Sequence, residues 1–291
     1  GAGTGTITVA DPILPDLDTA ADSGQNVSLT LDAAADIIID AAIAVIGSDH
    51  ADDHLSIILQ AVTGVDINAA IDTFGGDFTS GTALAVNGGS FDATGGSIAT
   101  GAGSALITHA GSAALGPMTV GGDLTVTAGG PITDADGAGN ALAVTGTAAF
   151  TTRADAGAAI TLDNDANTFG TVNARALNAA GDAAAAGAIE IIEDTSLAVG
   201  AVETAGTVTL TSVNGSILDA ADDAVVDITA GGLITLTART NIAGSGPGDS
   251  ALELAGGSEV DASSTNVGNI TLASPGALTL TDVDTADGNI T

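Results

Sequence analysis

The chain of 291 residues contains no cysteine, tryptophan or tyrosine, no lysine, and only five phenylalanines. Without cysteine there is no disulfide framework and no thiolate chemistry, so packing and hydrogen bonds alone must hold the fold. With aromatics at 2%, the thick layers of an ordinary globular core cannot be filled. Ala, Gly, Val, Ile, Leu and Thr suit a narrow core of small, stackable side chains instead. Positive charge is equally scarce: Arg153, Arg175 and Arg239 face 36 acidic residues, for a net charge of -33. Such a field excludes nucleic acid as a partner and makes cations the natural counter-species. No apolar run approaches the roughly 20 residues of a membrane-spanning helix, and the most apolar stretch, Ile37 to Ile46, is broken by Asp40. No membrane insertion is expected. Hydrophobic residues still make up 45% of the chain, too many for a disordered polymer.

What is present is a phrase that keeps returning. It reads Gly5-Thr-Ile-Thr-Val, Gly122-Asp-Leu-Thr-Val, Gly206-Thr-Val-Thr-Leu, Gly268-Asn-Ile-Thr-Leu and Gly276-Ala-Leu-Thr-Leu, and it begins again at Gly288-Asn-Ile-Thr. Each copy joins a turn residue to a short run that alternates aliphatic with Thr, so one side can enter a core while hydroxyls face water. Neighbouring turn glycines such as 76 and 96, 122 and 146, 206 and 232, or 268 and 288 lie 20 to 26 residues apart. That period belongs to solenoids. The expected fold is all-β, a β-solenoid of parallel strands with about 20–26 residues per coil and two or three strands in each coil. At about 22 residues per coil the chain would make roughly 13 of them, stacked about 4.8 Å apart.

The expected domain is one elongated solenoid over residues 1–291. Val208, Leu210, Ile234 and Leu236 should stack inside it, and Thr209, Thr211, Thr235 and Thr237 outside. The order Gly122-Asp-Leu-Thr-Val, Ile132-Thr-Asp, Leu142-Ala-Val can be laid over Gly206-Thr-Val-Thr-Leu, Ile217-Leu-Asp, Val226-Asp-Ile, which predicts equivalent places in the rod for the two sets. The chain opens on Gly1-Ala-Gly-Thr and stops in mid-phrase at Asn289-Ile-Thr291, and so reads as part of a longer repeat protein.

Ligand chemistry has few carriers. Asp134-Ala-Asp136, Asp163-Asn-Asp165-Ala-Asn167 and Asp282-Val-Asp284-Thr-Ala-Asp287 place oxygen ligands at alternating positions beside turns, as calcium loops do. Calcium is therefore the candidate ion, although Asp and Asn also form ordinary turns unaided. His50 and His54 with Asp49, Asp52 and Asp53 could assemble a transition-metal site, but the four-residue histidine spacing aligns only on a helix and this stretch reads as a turn. His109 stands alone and reads as an outward strand or turn residue. A threonine array for binding ice would need Thr125/Thr127, Thr209/Thr211, Thr235/Thr237 and Thr279/Thr281 on one flat face. No cluster pairs carboxylates with a basic or aromatic subsite, and no Gly-x-Ser-x-Gly elbow occurs in a strand-to-helix context. No enzymatic activity is expected, and no cofactor is required.

Leu124-Thr-Val-Thr-Ala-Gly-Gly130, Leu142-Ala-Val-Thr-Gly-Thr-Ala148, Ile160-Thr-Leu-Asp-Asn164 and Asn167-Thr-Phe-Gly170 follow one another in that order. They resemble the repeats of giant bacterial surface proteins of the filamentous-haemagglutinin type, most closely from about Gly121 to Thr291. The resemblance implies a right-handed parallel β-helix at the cell surface with a structural role as filament, stalk or adhesin shaft, or else an adhesin region that binds surface glycans. An open solenoid edge further implies self-association, by end-to-end stacking or by covalent continuation into more coils.

Overall fold

Alternating aliphatic and short polar residues make strands that bury every second side chain. In a computed structural model, which describes residues 5–17, 24, 26–46, 53–81, 87–246 and 251–291, these strands pair in parallel from coil to coil. The fold is an all-β parallel solenoid with three strands to a typical coil. Among the described residues the only helical element is a single 3-10 turn, Ala138–Asn140.

The chain divides into two compact units, the first Gly1–Ala135 with Gly139–Thr147, the second Asp136–Ala138 with Ala148–Thr291. In the first unit one face stacks Ile7–Val9, Asp36–Ile39, Gly64–Ile67, Phe91–Asp92, Ala113–Leu115 and Ile132–Asp134. A second face stacks Asn26–Ala33, His54–Ala61, Phe78–Ser80, Ala105–His109 and Leu124–Ala128. A third runs through Ile43–Ala44, Ala70–Asp72, Ser97–Gly101 and Met118–Val120 to Leu142. In the second unit the corresponding first face stacks Ile160–Leu162, Ile189–Glu193, Val208–Ser212, Ile234–Ala238, Glu259–Val267 and Thr279–Asp287. The step between partner residues runs from 19 residues, Ala113 to Ile132, to 30, Ile7 to Ile37. The upper end exceeds the expected spacing because some corners carry loops beyond a minimal turn. Each unit accordingly stacks six strands on its first face among the described residues, fewer than the expected number of coils.

Register turns the alternation into internal ladders. Ile37, Val65, Phe91, Ala113 and Ile132 are successive partners, as are Ile160, Ile189, Val208, Ile234 and Val260, and all ten are buried. Each large aliphatic removed from water in this way contributes about 1.5–3 kcal/mol. Val208 pairs with Ile234 and Leu210 with Leu236 inside, while Thr209 pairs with Thr235 and Thr211 with Thr237 outside. Where phenylalanine enters the ladder it finds another ring: Phe78 and Phe91 meet edge to face at 6.3 Å, Phe150 and Phe169 at 6.0 Å.

Two expectations need correction. The phrase at Leu124–Ala128 lies on the second face of its unit, whereas its supposed equivalent Val208–Ser212 lies on the first. The phrase specifies a strand and its inward side, and every face of a coil requires the same. For the same reason the threonine pairs do not share a face, since Thr125 and Thr127 belong to a different sheet from Thr209, Thr211, Thr235, Thr237, Thr279 and Thr281.

Corners hold the coils in register. In the second unit the Ser216 amide donates to Ser196 Oγ (3.1 Å), Asn241 to Ser216 Oγ (3.2 Å), Asn269 to Asn241 Oδ1 (2.9 Å) and Asn289 to Asn269 Oδ1 (2.9 Å). In the first, Ser104 donates to Asp77 Oδ1 (2.9 Å), Asp123 to Ser104 Oγ (3.1 Å) and Thr147 to Asp123 Oδ1 (2.8 Å). Each such side chain satisfies the amide one coil on, where the strand ladder has lapsed.

Beside this column the backbones approach so closely that glycine is required. A Cβ on Gly103 would sit 2.1 Å from the carbonyl oxygen of Gly76, and one on Gly122 would sit 2.5 Å from Ser104 Oγ. Gly139 has open space around it. Gly103→Ala should therefore cost about 1–3 kcal/mol through forced separation of the coils, and Gly139→Ala should stay within about 0.5 kcal/mol of the parent. Urea unfolding of the two variants checks this, and equal midpoints would show that the corner can relax freely.

Candidate functional site

Among the described residues, three metal-capable side chains converge at one place: Asp219, Asp227 and Glu253 offer carboxylate oxygens that all lie within 4.8 Å of one another. All three are buried. Asp219 ends the strand Ile217–Asp219 and stacks in register on Val199 of the preceding coil. With Ile217 turned inward, period-two alternation aims Asp219 into the core as well. Its carboxylate is held by the loop that follows, Oδ1 accepting from the Ala221 amide (2.8 Å) and Oδ2 from Asp223 (3.0 Å). Asp227 and Glu253 are stitched across one coil step, for the Asp227 amide donates to the Glu253 carbonyl and the Glu253 amide to Asp227 Oδ2, both at 3.0 Å. Glu253 also lines an open cleft with Ala224, Val226, Ala273, Ser274 and Pro275.

Burial makes the charged form of Asp227 costly, and the neighbouring Asp219 and Glu253 carboxylates add repulsion. Its carboxyl is pushed up to about 8, against 3.8 ordinarily. The corner therefore carries proton as well as charge at neutral pH. Hard oxygen donors of this kind also suit calcium or magnesium over zinc. Glu193, at the end of the strand Ile189–Glu193, is a second buried acid. Burial pushes it up to about 7, opposed by hydrogen bonds from Thr195 Oγ1 (2.9 Å) and the Phe169 amide (3.3 Å).

The residues singled out from sequence lie elsewhere. Asp134 ends Ile132–Asp134, and Asp136 is exposed in the turn beyond it. Asp163 and Asp165 are exposed after the strand Ile160–Leu162, whereas Asn167 and its neighbour Asn164 are buried. Asn164 Oδ1 accepts from the Ala166 amide (3.0 Å) and its Nδ2 donates to the Gly137 carbonyl (2.9 Å). Asp282, Asp284 and Asp287 lie along Thr279–Asp287, with Asp282 stacked in register on Asp261. His54 opens the strand His54–Ala61 and donates from Nδ1 to the Phe74 carbonyl (3.1 Å); Asp49, His50 and Asp52 lie outside the described residues.

His109 requires correction. It is buried at 1% exposure, with Nε2 at 2.9 Å from Ser80 Oγ and its ring 5.5 Å from that of Phe91. Alternation carries the signal, since Ala105, Ile107 and His109 share the inward side of one strand. Asp219 and Glu193 are legible in the same way, after Ile217 and Ile191. Asp227 and Glu253 are not, because their places follow from loops whose course alternation does not determine.

Residues 102–176 match a family described as Repeats of unknown function (DUF5649). No curated protein and no solved structure matches the chain. The family's description agrees with the repeated coils seen over those residues and carries no activity with it.

The buried acid corner makes stability depend on pH. A carboxyl whose folded value is raised binds its proton more tightly folded than unfolded, so its stabilising contribution is complete below about 4 and is lost as pH rises towards 8. Asp227→Asn keeps the shape and removes the proton. The melting temperature of the parent should fall between pH 5 and 8.5 more steeply than that of the variant, as read by circular dichroism. Parallel profiles would mean that Asp227 ionises freely in place.

Proposed function

We propose that this chain is a structural segment of an extracellular surface protein, the shaft of a filament, stalk or adhesin, with no enzymatic role. The supporting observation is the set of corner ladders. Ser, Asn and Asp side chains that could carry chemistry are turned to the backbone of the next coil, in a column from Ser196 to Asn289 in one unit and from Asp77 to Thr147 in the other. Such bonds resist sliding and splaying of the coils, which is what a shaft requires. The likeness of Leu124 to Gly170 to filamentous-haemagglutinin repeats favours the same reading and is the ground for proposing the cell surface as its location. Negative-stain electron microscopy of the chain should show thin rods, and compact globular particles would overturn the proposal.

Self-association belongs to this reading. The strand Thr279–Asp287 is solvent-exposed over most of its length, with Leu280 at 55% and the nearby Ile290 at 49%. The edge of a parallel stack recruits further strands through its hydrogen-bonding backbone, and we propose another coil of the same type as its cover. Asp282, Asp284 and Asp287 would repel an acidic partner across the junction unless cations such as calcium intervene. Light scattering should then report larger particles in calcium than in chelator. A monodisperse monomer in both would sink the stacking, and large particles indifferent to chelator would remove calcium from it.

A further inference from the structure

His109 sits where three successive coils of the first unit meet. Asn87 ties the coil before it, receiving the Ala61 amide on Oδ1 (2.9 Å) and donating from Nδ2 to the Leu59 carbonyl (3.1 Å). The same Nδ2 lies 3.2 Å from Ser80 Oγ and 3.4 Å from His109 Nε2, and Ser80 Oγ is 2.9 Å from Nε2. The backbone continues the tie, because the Ala110 amide donates to the Asn87 carbonyl (2.9 Å) and the Gly129 amide to that of His109 (3.0 Å). Asn87, Ser80 and His109 are each no more than 2% exposed.

The polarity of this network is constrained. The Asn87 amide nitrogen has only hydrogens to offer, and it points at both Ser80 Oγ and Nε2. With Nε2 as the acceptor of both side chains, the Ser80 hydroxyl donates to it and the ring proton resides on Nδ1, which is buried without a hydrogen-bond partner. A second proton on Nε2 would face the Asn87 N–H groups and turn the Ser80 hydroxyl away from its acceptor. The resulting cation would also lack a counter-charge. On the elements packed around the ring, Asp77, Asp92 and Asp123 are exposed and accept from the amides of Ser104, Thr94 and Thr147. Asp66 lies on the strand beside Phe91, paired in register with Asp92. Asp32 is exposed near the mouth of the groove that Asn87 lines. His54 is engaged with Phe74 at the far end of its strand. The other immediate neighbours, Phe91 and Ala128, are neutral and buried.

We propose that His109 is an acid-sensitive lock on the first unit: as neutral imidazole it joins three coils through Asn87 and Ser80, and its protonation opens the corner that Ser80, Asn87 and His109 form. Burial lowers its titration from 6.5 to about 4, opposed by the backbone of Gly88 and Gly89, which favours the charged form. A group with a depressed folded value of this sign contributes stability that is complete above about 6.5 and is lost as pH falls towards 4. This is opposite in direction to the carboxyl corner of the second unit.

Nuclear magnetic resonance of the whole chain tests the lock. Imidazole carbon-bound protons are followed from pH 7.5 to 3.5 together with the amides of 78–80, 87–91 and 105–109, and the His109 signal is assigned by its loss in His109→Gln. The expected result is a His109 resonance that stays neutral through pH 6 and changes near 4, together with displacement of those amides. Titration of His109 near 6.5 with the amides unmoved, or its titration near 4 with the amides unmoved, overturns the proposal. If His109→Gln folds, its amides at 78–80 and 87–91 should hold their positions to lower pH than in the parent. If it does not fold, the remaining histidines are assigned by substituting His50 and His54, and the titration of the parent decides.

Discussion

The constraint on which this fold depends is the spacing between coils. Parallel strands stack at about 4.8 Å, and every corner must carry the chain from one face to the next without widening that gap. At Gly76, Gly103 and Gly122 the backbone of one coil lies against the carbonyl of another, where a single added carbon would collide. The 41 glycines of the chain cost conformational entropy on folding, and at these corners close approach is what offsets that cost. The coils then meet closely enough for the internal aliphatic ladders to exclude water.

The same spacing gives corner polar residues their work. An amide leaving a strand has lost its ladder partner and is too enclosed for water to replace it reliably, so a side-chain oxygen one coil earlier serves instead. Ser, Asn and Asp are short enough to reach 2.8–3.2 Å from the next amide. Aspartate also closes turns locally: Asp72 accepts from the Phe74 amide, Asp92 from Thr94 and Asp223 from Val225. Part of the chain's strong acidity is thus explained by corners, with no ligand needed to account for it. Phe74 itself is held at φ 51 by such a turn, a conformation disfavoured for a bulky residue.

Legibility in the sequence follows from the same physics. A strand and its inward side can be read at Val208 to Ser212 because alternation is local. The face that a strand occupies cannot, since Leu124–Ala128 and Val208–Ser212 share a phrase and lie on different faces. Alternation also marks His109, Glu193 and Asp219 as inward, provided that a polar residue at an inward position is taken at face value and not discounted as the end of a strand. Asp227 and Glu253 are not marked in this way, and placing Asp227 required the course of the loop after Asp219. Local pattern says nothing of where such loops return.

Buried ionisable groups make the two units differ in kind. In the first, the buried imidazole favours its neutral form, which is also its uncharged one, and acid works against it. In the second, Asp227 and Glu193 favour their protonated forms, and acid works for them. Since each unit has its own stacked core, the stabilities of the two need not move together with pH, and a single melting temperature for the whole chain would average opposed responses. At mildly acidic pH the carboxyl corner gains its proton before the imidazole does, because the Asp227 value near 8 lies well above that of His109 near 4. The second unit gains stability as pH falls from about 8 to about 4, and the first loses it as pH falls from about 6.5 to about 4, so over the lower part of that range one change in acidity moves the two units in opposite directions.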